Sequence, residues 1–171
     1  MDPVLSLTIR LALSILFATT AFAKLRKRRD FYAAVLAWQL LPPRWAMKLA
    51  GILPWAEAVI AVGLLLDVVA TPFFAAGLLL GYALAMAVNL KRGRYDIDCG
   101  CGGAPQPLSI WLVLRNIVLA GAALTVSLLP VDKRPLQTVD ALIVIGALSI
   151  LILAYTSGHR ILAKSLNPDR K

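Results

Sequence analysis

The chain has few of the side chains that soluble enzymes use for catalysis and metal binding. It contains one histidine, two cysteines and nine acidic residues among its 171 residues. Charged residues make up 16% of the chain, whereas soluble domains carry about 25%. There is no second cysteine pair, which excludes the zinc-ribbon type of site, where four ligands close around the metal. These absences exclude an ordinary soluble domain and leave few residues for chemistry.

Apolar residues dominate what remains, with a hydrophobic fraction of 60% and a mean hydropathy of +0.78. Several apolar runs are long enough to cross a hydrocarbon layer of about 30 Å as helices. Because these runs lack the two-residue alternation of strands, the pattern favours helices over a β-barrel. We therefore predict an all-α, polytopic helical bundle that forms a single integral membrane domain over residues 1–171.

Five transmembrane helices are predicted from these runs, at about residues 3–23, 47–69, 72–90, 108–129 and 138–156. Residues 31–41, between the first two helices, are too short to span the bilayer, and two prolines follow them. Their aromatic residues are typical of an interfacial or re-entrant helix. The main polar interruption is the loop 91–107, which contains both cysteines.

The net charge of +9 comes from basic residues that flank the apolar runs, which argues against a nucleic-acid-binding face. One set of helix ends carries Lys24, Arg26, Lys27, Arg28, Arg29, Arg44, Lys48, Lys91, Arg92, Arg94, Arg160, Lys164, Arg170 and Lys171. The opposite ends carry only Lys133 and Arg134. By the positive-inside rule, this asymmetry predicts a membrane protein with its N-terminus outside. The C-terminus and the cysteine loop are then predicted to be cytoplasmic.

Ionisable residues inside apolar spans are candidates for function, because each costs about 2.5 kcal/mol or more at the bilayer centre unless it finds a partner. Arg115 and Glu57 have similar predicted depths, so we expect them to pair, with Asn89 and Asn116 extending the network. The alternative is that these residues only hold the bundle together. A second group, expected to pair at the opposite end, comprises Arg10, Asp67 and Asp140.

Both cysteines lie in the stretch "DIDCGCGGAP", where Cys99 and Cys101 flank Gly100. A disulfide between them would close a small, strained ring, and Gly100 would permit the backbone conformations that approach it. Strain makes a disulfide easier to reduce, so such a bond would exchange rather than staple the fold. This favours a thiol redox pair.

Two other interpretations of the cysteines remain open. They could belong to a tight turn made by the neighbouring glycines, with Gly102 and Gly103 following the second cysteine. They could also supply two ligands to a metal, with His159 from the same predicted membrane face as a third. The spacing is not that of a zinc site, so the metal interpretation is the weaker one.

Four stretches of the chain together form a recognisable pattern: "AFAKLRKRRDFYAAVLAWQLLP", "LPWAEAVIAVGLLL", "AVNLKRGRYDIDCGCGG" and "LVLRN". Over about residues 5–120, this pattern resembles the MauE family of methylamine-utilisation membrane proteins, which is related to the broader DoxX-like family. The resemblance implies a four-helix DoxX-like core. It matches Cys99 and Cys101 to the family's cysteine pair. The recurrent polar positions of the family then correspond to Lys24, Glu57, Asn89, Arg115 and Asn116.

The resemblance also implies a role as a redox-associated accessory protein, similar to a thiol-disulfide oxidoreductase. Such a protein would assist disulfide formation in, or export of, a periplasmic client such as the small subunit of amine dehydrogenase, together with a thioredoxin-like partner. The competing hypotheses are a small transporter or channel-like bundle, a metal-binding bundle, and a membrane scaffold without redox activity.

Two features depart from what the resemblance implies. Gly102 follows the second cysteine, where family members often carry an aromatic residue. The charge asymmetry predicts a cytoplasmic cysteine loop, whereas the implied client is periplasmic. Electrons would cross between the two sides through helix motion or through a further carrier such as a quinone, and no other cofactor is expected.

Overall fold

The computed structural model of the chain describes residues 1–100, 106–131, 134–135 and 137–165, with side chains in the last range for 137–150 and Leu153. The helices in these ranges are α1 (Pro3–Arg26), α2 (Arg28–Ala37), α3 (Pro43–Leu65), α4 (Thr71–Lys91), α5 (Ile110–Leu128) and α6 (Thr138–Ser165). Within the described ranges, the extended backbone pairing is limited to one bridge between Asp98 and Pro107. The predicted all-α class is confirmed.

Four helices, α1, α3, α4 and α5, form the core of the bundle. The pairs α1–α3 and α4–α5 pack most extensively, and smaller contacts of α1 with α5 and of α3 with α4 close the ring. Helix α6 packs against α1 on the outside of this ring. Between the helices, the apolar core includes Leu13, Phe17, Ile60, Leu79 and Ala120.

The four core helices are each long and apolar enough to cross a membrane. Their outward faces carry large exposed apolar side chains such as Val59, Phe74 and Leu84, which fits a surface covered by lipid. Helix α6 begins at the predicted residue 138 and continues to Ser165, past the predicted end at 156. Its described apolar part, Thr138–Ile150, is shorter than a span, so the fifth crossing stays a prediction.

The ends of α3 differ from the prediction of 47–69. The helix begins at Pro43, because a proline is favoured in the first turn, where its missing N–H is not needed. It ends at Leu65, ahead of Asp67, whose backbone has a φ of +58°. A positive φ of this kind interrupts a right-handed helix.

The short helix α2 replaces the predicted interfacial segment 31–41. It begins three residues earlier, directly after α1, and Trp38 caps its end ahead of Gln39, which has a φ of +49°. At 10 residues the helix is about 15 Å long, about half of the hydrocarbon thickness. This length agrees with a segment that does not span, and its interfacial or re-entrant position stays a prediction. Its buried residues Phe31 and Val35 pack against the first turns of α3.

Charged residues tie the chain together at the end of the bundle opposite the cysteine loop. Arg10 of α1 pairs with Asp67 after α3, as expected. Asp140 does not join them, since its carboxylate pairs with Arg134 through contacts of 2.8 and 3.1 Å. The hydrogen bonds that Arg134 donates to Asp140 raise the pKa of Arg134. Arg134 also reaches Asp2, at 3.4 Å, and so connects the start of α1 with the start of α6.

Candidate functional site

A lysine and a glutamate form an ion pair inside the bundle. Lys24 lies in the last turn of α1, and Glu57 lies in α3, one turn after Pro54. Nζ of Lys24 donates a hydrogen bond to Oε1 of Glu57, and the two side chains are 3% and 1% exposed. Because both groups have lost their hydration, each charge depends on the other for its stabilisation.

Tyr82 of α4 completes a three-residue cluster with this ion pair, which we call the Lys24–Glu57–Tyr82 cluster. Its hydroxyl donates to Oε1 of Glu57 at 2.7 Å and lies 3.1 Å from Nζ of Lys24. Nζ is also 4.6 Å from the centre of the Tyr82 ring and 5.0 Å from that of Phe31, within cation–π range. The second oxygen of Glu57, Oε2, is buried without a hydrogen-bond partner among the described residues.

A cavity of about 40 Å³, open at one side, lies beside the cluster. Its wall brings together residues from six segments of the chain: α1, α2 with its C-terminal cap, α3, α4, the cysteine segment and α5. The polar and cysteine-loop part of the wall comprises Thr20, Lys24, Glu57, Tyr82, Cys99, Gly100, Arg115 and Asn116. Apolar and aromatic side chains supply the rest, among them Phe17, Phe31 and Trp38. The cavity therefore joins the cysteine loop to the intramembrane charges.

Cys99 lies in the apolar core between α4 and α5 rather than on the surface. It is 5% exposed and packs in one cluster with Met86, Leu108, Leu112 and Val113. Its backbone N–H donates to the carbonyl of Gln106 at 3.0 Å, which draws the two ends of the cysteine segment together. A cysteine buried in this way can be reached through the cavity, and burial limits its access to bulk solvent.

The carboxylate of Asp98 organises the turn around Cys99. Its Oδ1 accepts the backbone N–H of Gly100 at 3.3 Å and that of Gln106 at 3.2 Å. Gly100 has a φ of +69°, a conformation that costs other residues about 1–2 kcal/mol. Its Cα faces Phe31 of α2, where an added Cβ would lie 3.5 Å from the ring. The glycine expected to permit a tight bend between the cysteines does adopt an unusual conformation.

Helix α2 holds the cysteine segment against the bundle. The indole N–H of Trp38 donates to the carbonyl of Asp98 at 3.0 Å. In return, Arg94 donates to the carbonyl of Trp38 at 3.3 Å, and Arg92 donates to that of Gln39 at 3.2 Å. The short helix that follows α1 thus covers the cysteine end of the cavity.

The predicted polar residues are only partly arranged as expected. The expected pairing of Arg115 with Glu57 is wrong, because the last turn of α1 directs Lys24 into the bundle, where it takes that place. Lys24 is therefore an interior residue rather than a flanking charge. Arg115 and Asn116 do line the cavity, and Asn116 donates to the carbonyl of Leu112 at 2.8 Å.

Asn89 does not line this cavity. Its side chain is fully buried and donates to the carbonyl of Ala85 at 3.1 Å, while Oδ1 has no hydrogen-bond partner among the described residues. Its backbone carbonyl accepts the N–H groups of Arg92 and Arg94 at the end of α4, both at 3.1 Å. These bonds involve the backbone of Asn89 and close the last turn of α4.

Several predicted site residues lie outside the described part of the chain. They are Cys101, Gly102 and Gly103, together with the side chain of His159. In the described ranges, no group of three histidine, cysteine, aspartate or glutamate residues could hold a metal ion. The metal interpretation depends on the residues beyond those ranges and stays a hypothesis.

Sequence reasoning missed three aromatic residues of the site: Phe31, Trp38 and Tyr82. In an apolar sequence, an aromatic residue normally marks the core or the membrane interface. The polar atom of a tryptophan or a tyrosine gives no sign of its hydrogen-bond partner. A weak signal exists for Tyr82, whose hydroxyl inside a predicted span needs a hydrogen-bond partner in lipid. The partner itself becomes apparent only when α4 is placed beside α3.

Comparison with known proteins relates this site to a membrane protein family. The model of the family described as "Methylamine utilisation protein MauE" matches residues 2–129. The chain belongs to the MauE family. The match includes Lys24, Glu57, Tyr82, Cys99 and Arg115, so the whole cavity lies within the part of the chain that defines the family.

Curated MauE proteins from several bacteria are similar to this chain. The MauE protein of Paracoccus denitrificans is 42% identical over 130 residues, covering 74% of this chain and 70% of that protein. The one from Methylorubrum extorquens is 43% identical over 135 residues, covering 76% and 73%. The one from Methylophilus methylotrophus is 33% identical over 159 residues, covering 90% and 84%. No solved structure matches the chain.

These findings make the chain a member of a family whose curated members are named as methylamine utilisation proteins. They agree with the four apolar helices that are long enough to span a bilayer.

Proposed function

We propose that this MauE-family protein is a membrane thiol-disulfide exchange protein in which Cys99 and Cys101 cycle between dithiol and disulfide. It would support the maturation of a periplasmic client, such as the small subunit of amine dehydrogenase, by helping to form its disulfides or to export it. A thioredoxin-like protein is the exchange partner. The observation that carries this proposal is the shared cavity of Cys99 and the Lys24–Glu57–Tyr82 cluster.

Exchange chemistry requires a thiolate, and a buried thiolate requires a nearby positive charge or donor. Lys24 brings an ammonium group into the cavity that Cys99 lines, and Tyr82 brings a hydroxyl. A scaffold that carries out no reaction would gain little stability from an ion pair there. Buried ion pairs contribute weakly to the free energy of folding, and charges cost free energy in the bilayer interior. The charges are explained better by a reaction than by packing.

The burial of Cys99 suggests which cysteine attacks the partner and which one resolves the mixed disulfide. At 5% exposure, Cys99 cannot meet a sulfur atom on the surface of another protein without large movement. Cys101 is therefore assigned the attack on the partner's disulfide, which yields a mixed disulfide and one partner thiolate. Cys99 then attacks the sulfur of Cys101, forming the internal disulfide and releasing the second partner thiolate. The two protons lost by the cysteines balance the two taken up by the partner.

The proposed orientation places the N-terminus outside the bacterial inner membrane, with the cysteine end in the cytoplasm. It rests on the basic residues at the cysteine end, of which Arg28, Arg44, Lys48 and Lys91 are exposed. A periplasmic client then receives its oxidising equivalents across the bundle, and a quinone is the type of carrier that could connect the two sides.

Serine substitution of the cysteines tests the proposed function in cells that grow on methylamine. We expect Cys99→Ser and Cys101→Ser each to abolish the accumulation of mature, disulfide-bonded client, while the membrane level of the variant protein stays normal. Cys99→Ser should also accumulate the mixed disulfide, visible on a non-reducing gel. Normal client maturation in both variants would refute the exchange function and favour a scaffold or a transporter.

A further inference from the structure

Oxidation of the buried Cys99 releases its thiol proton inside the bundle, and this proton needs an acceptor. Aqueous hydroxide is a poor one here, because Cys99 is 5% exposed and lies in an apolar cluster. The acceptor must be basic, must lie in the same cavity and must have an unused lone pair. Of the carboxylates in the described part of the chain, Glu57 lines this cavity.

The two oxygens of Glu57 have different surroundings. Oε1 accepts hydrogen bonds from Lys24 and from Tyr82, which hold the carboxylate in place. Oε2 is buried and accepts none among the described residues. A carboxylate oxygen without a donor is expensive in a protein interior, and such groups call for a functional explanation. A proton from the cavity would satisfy it.

We propose that Glu57 accepts the thiol proton of Cys99 when Cys99 attacks the mixed disulfide at Cys101. The S–H bond breaks, the proton moves to Oε2 of Glu57, and the electron pair stays on sulfur. Lys24, whose carboxylate partner is now neutral, faces the new thiolate. The thiolate forms the bond to the sulfur of Cys101, and the partner leaves as a thiolate. This inference rests on the proposed exchange function and assigns the proton transfer within it.

A second cavity gives the proton a route out of the bundle. Lys24 and Phe31 line both cavities, and Arg28, Tyr32 and Trp55 line the second one near the cysteine end. Lys24 thus lies between the cysteine cavity and a more polar space, and its hydrogen bond to Glu57 connects that carboxylate to this space. Glu57 returns to its ionised state by releasing the proton through this space, either to water or to the departing thiolate.

The resolving step can be followed directly with dipyridyl disulfide on the reduced, full-length protein in lipid nanodiscs. The first cysteine to react releases one pyridinethione, and attack by the second cysteine releases another. The second phase is assigned with Cys99→Ser, which lacks it. Because the proton stays inside the cavity, we expect the wild-type rate of this phase to be independent of pH around neutrality.

Glu57→Gln removes the acceptor while keeping the shape of the side chain. We expect the second phase to slow by about 100-fold at neutral pH, a typical effect of losing a positioned proton acceptor. Its rate should then rise tenfold per pH unit, because hydroxide becomes the acceptor. Asp96→Asn is the matched control, since Asp96 is an exposed acid on the same cysteine segment, and its rate and pH profile should stay as in the wild type.

Two outcomes would overturn the proposed proton transfer to Glu57. If the carboxylate only shielded Lys24, Glu57→Gln would react as fast as the wild type or faster, with an unchanged pH profile, and the proposal would be overturned. If Glu57→Gln does not fold, Glu57→Asp serves instead. The shorter carboxylate should lower the rate and keep the flat profile, and a profile rising tenfold per unit would contradict the proposal. Failure of client maturation tests the exchange function separately.

Discussion

At the residue scale, the most unusual feature is a charge pair buried where charges are expensive. Lys24 and Glu57 are almost inaccessible, yet a single tyrosine hydroxyl provides the only further hydrogen bonds that these two side chains make within the described chain. Such a pair stabilises a bundle less than apolar residues of the same size would. Its place in the wall of the cavity that Cys99 lines agrees with the proposed role of these charges in the exchange reaction.

Removing one partner of the ion pair should destabilise the bundle more than removing both. We expect Lys24→Met to lower the free energy of unfolding by about 3–5 kcal/mol, because Glu57 is left as an uncompensated buried charge. Lys24→Met combined with Glu57→Leu should recover most of that loss. Thermal unfolding in detergent, analysed as a double-mutant cycle, measures both changes.

Lys48→Met is the control for the ion pair, because Lys48 is exposed and contacts only the ring of Trp45, at 5.1 Å, among the described residues. It should change stability by less than about 0.5 kcal/mol. Equal effects of Lys24→Met and Lys48→Met would show that the buried pair carries no coupling energy.

Depth along a helix could be predicted from the sequence, but the partner of each charge could not. Glu57 and Arg115 were placed at compatible depths, and both do line one cavity. The choice of Lys24 over Arg115 depends on the rotation of α1 about its axis and on its closeness to α3. Those quantities come from packing between helices, and a single sequence contains no direct measure of them.

At the scale of helices and loops, α2 is the part that closes the site. It lies at the cysteine end, packs against α3, and contacts the cysteine segment through Phe31 and Trp38. A short helix outside the hydrocarbon core is easier to displace than a spanning helix, because less apolar surface holds it in place. We therefore expect its position to control access to Cys99.

Trp38→Phe should loosen this cover while keeping an aromatic ring. The substitution removes the N–H that donates to the carbonyl of Asp98, a loss of about 1 kcal/mol. Alkylation of Cys99 by a small neutral reagent, measured in Cys101→Ser, should then become about fivefold faster, because the open state is more populated. Mass spectrometry of the labelled protein gives the rate.

Trp45→Phe is the matched control for this substitution, since Trp45 is 62% exposed on α3. It should leave the alkylation rate unchanged. An unchanged rate in Trp38→Phe as well would mean that α2 does not limit access to Cys99.

The helices themselves follow closely from the sequence because apolar length determines them. The predicted spans 72–90 and 108–129 lie within two residues of α4 and α5. Larger errors occur at α3 and α2, where proline and positive-φ residues determine the ends, and at the C-terminal end of α6, which continues to Ser165. The bridge and hydrogen bonds that shape the cysteine segment could not be predicted, because they join residues that neighbouring helices bring together.

At the scale of the whole molecule, the bundle has two differently built ends. At the end opposite the cysteines, Arg10 forms an ion pair with Asp67, and Arg134 forms ion pairs with Asp140 and Asp2. The cysteine end carries the exposed basic residues, the short helix α2 and the cavity. One end thus fixes the helices to one another, while the other contains the groups suited to chemistry. This division fits a protein that reacts at one membrane face.

Trapping of the cysteine thiols in living cells tests the central claim most directly. Cells growing on methylamine are quenched with acid, and free thiols are then tagged with a reagent that adds mass. A membrane-impermeant reagent applied to parallel intact cells reports the side. The account predicts that dithiol and disulfide forms of Cys99 and Cys101 coexist. Deleting the thioredoxin-like partner should drive the pair to one form. The membrane-impermeant reagent should leave the cysteines of intact cells unlabelled. A pair found in one form with and without the partner would contradict the account.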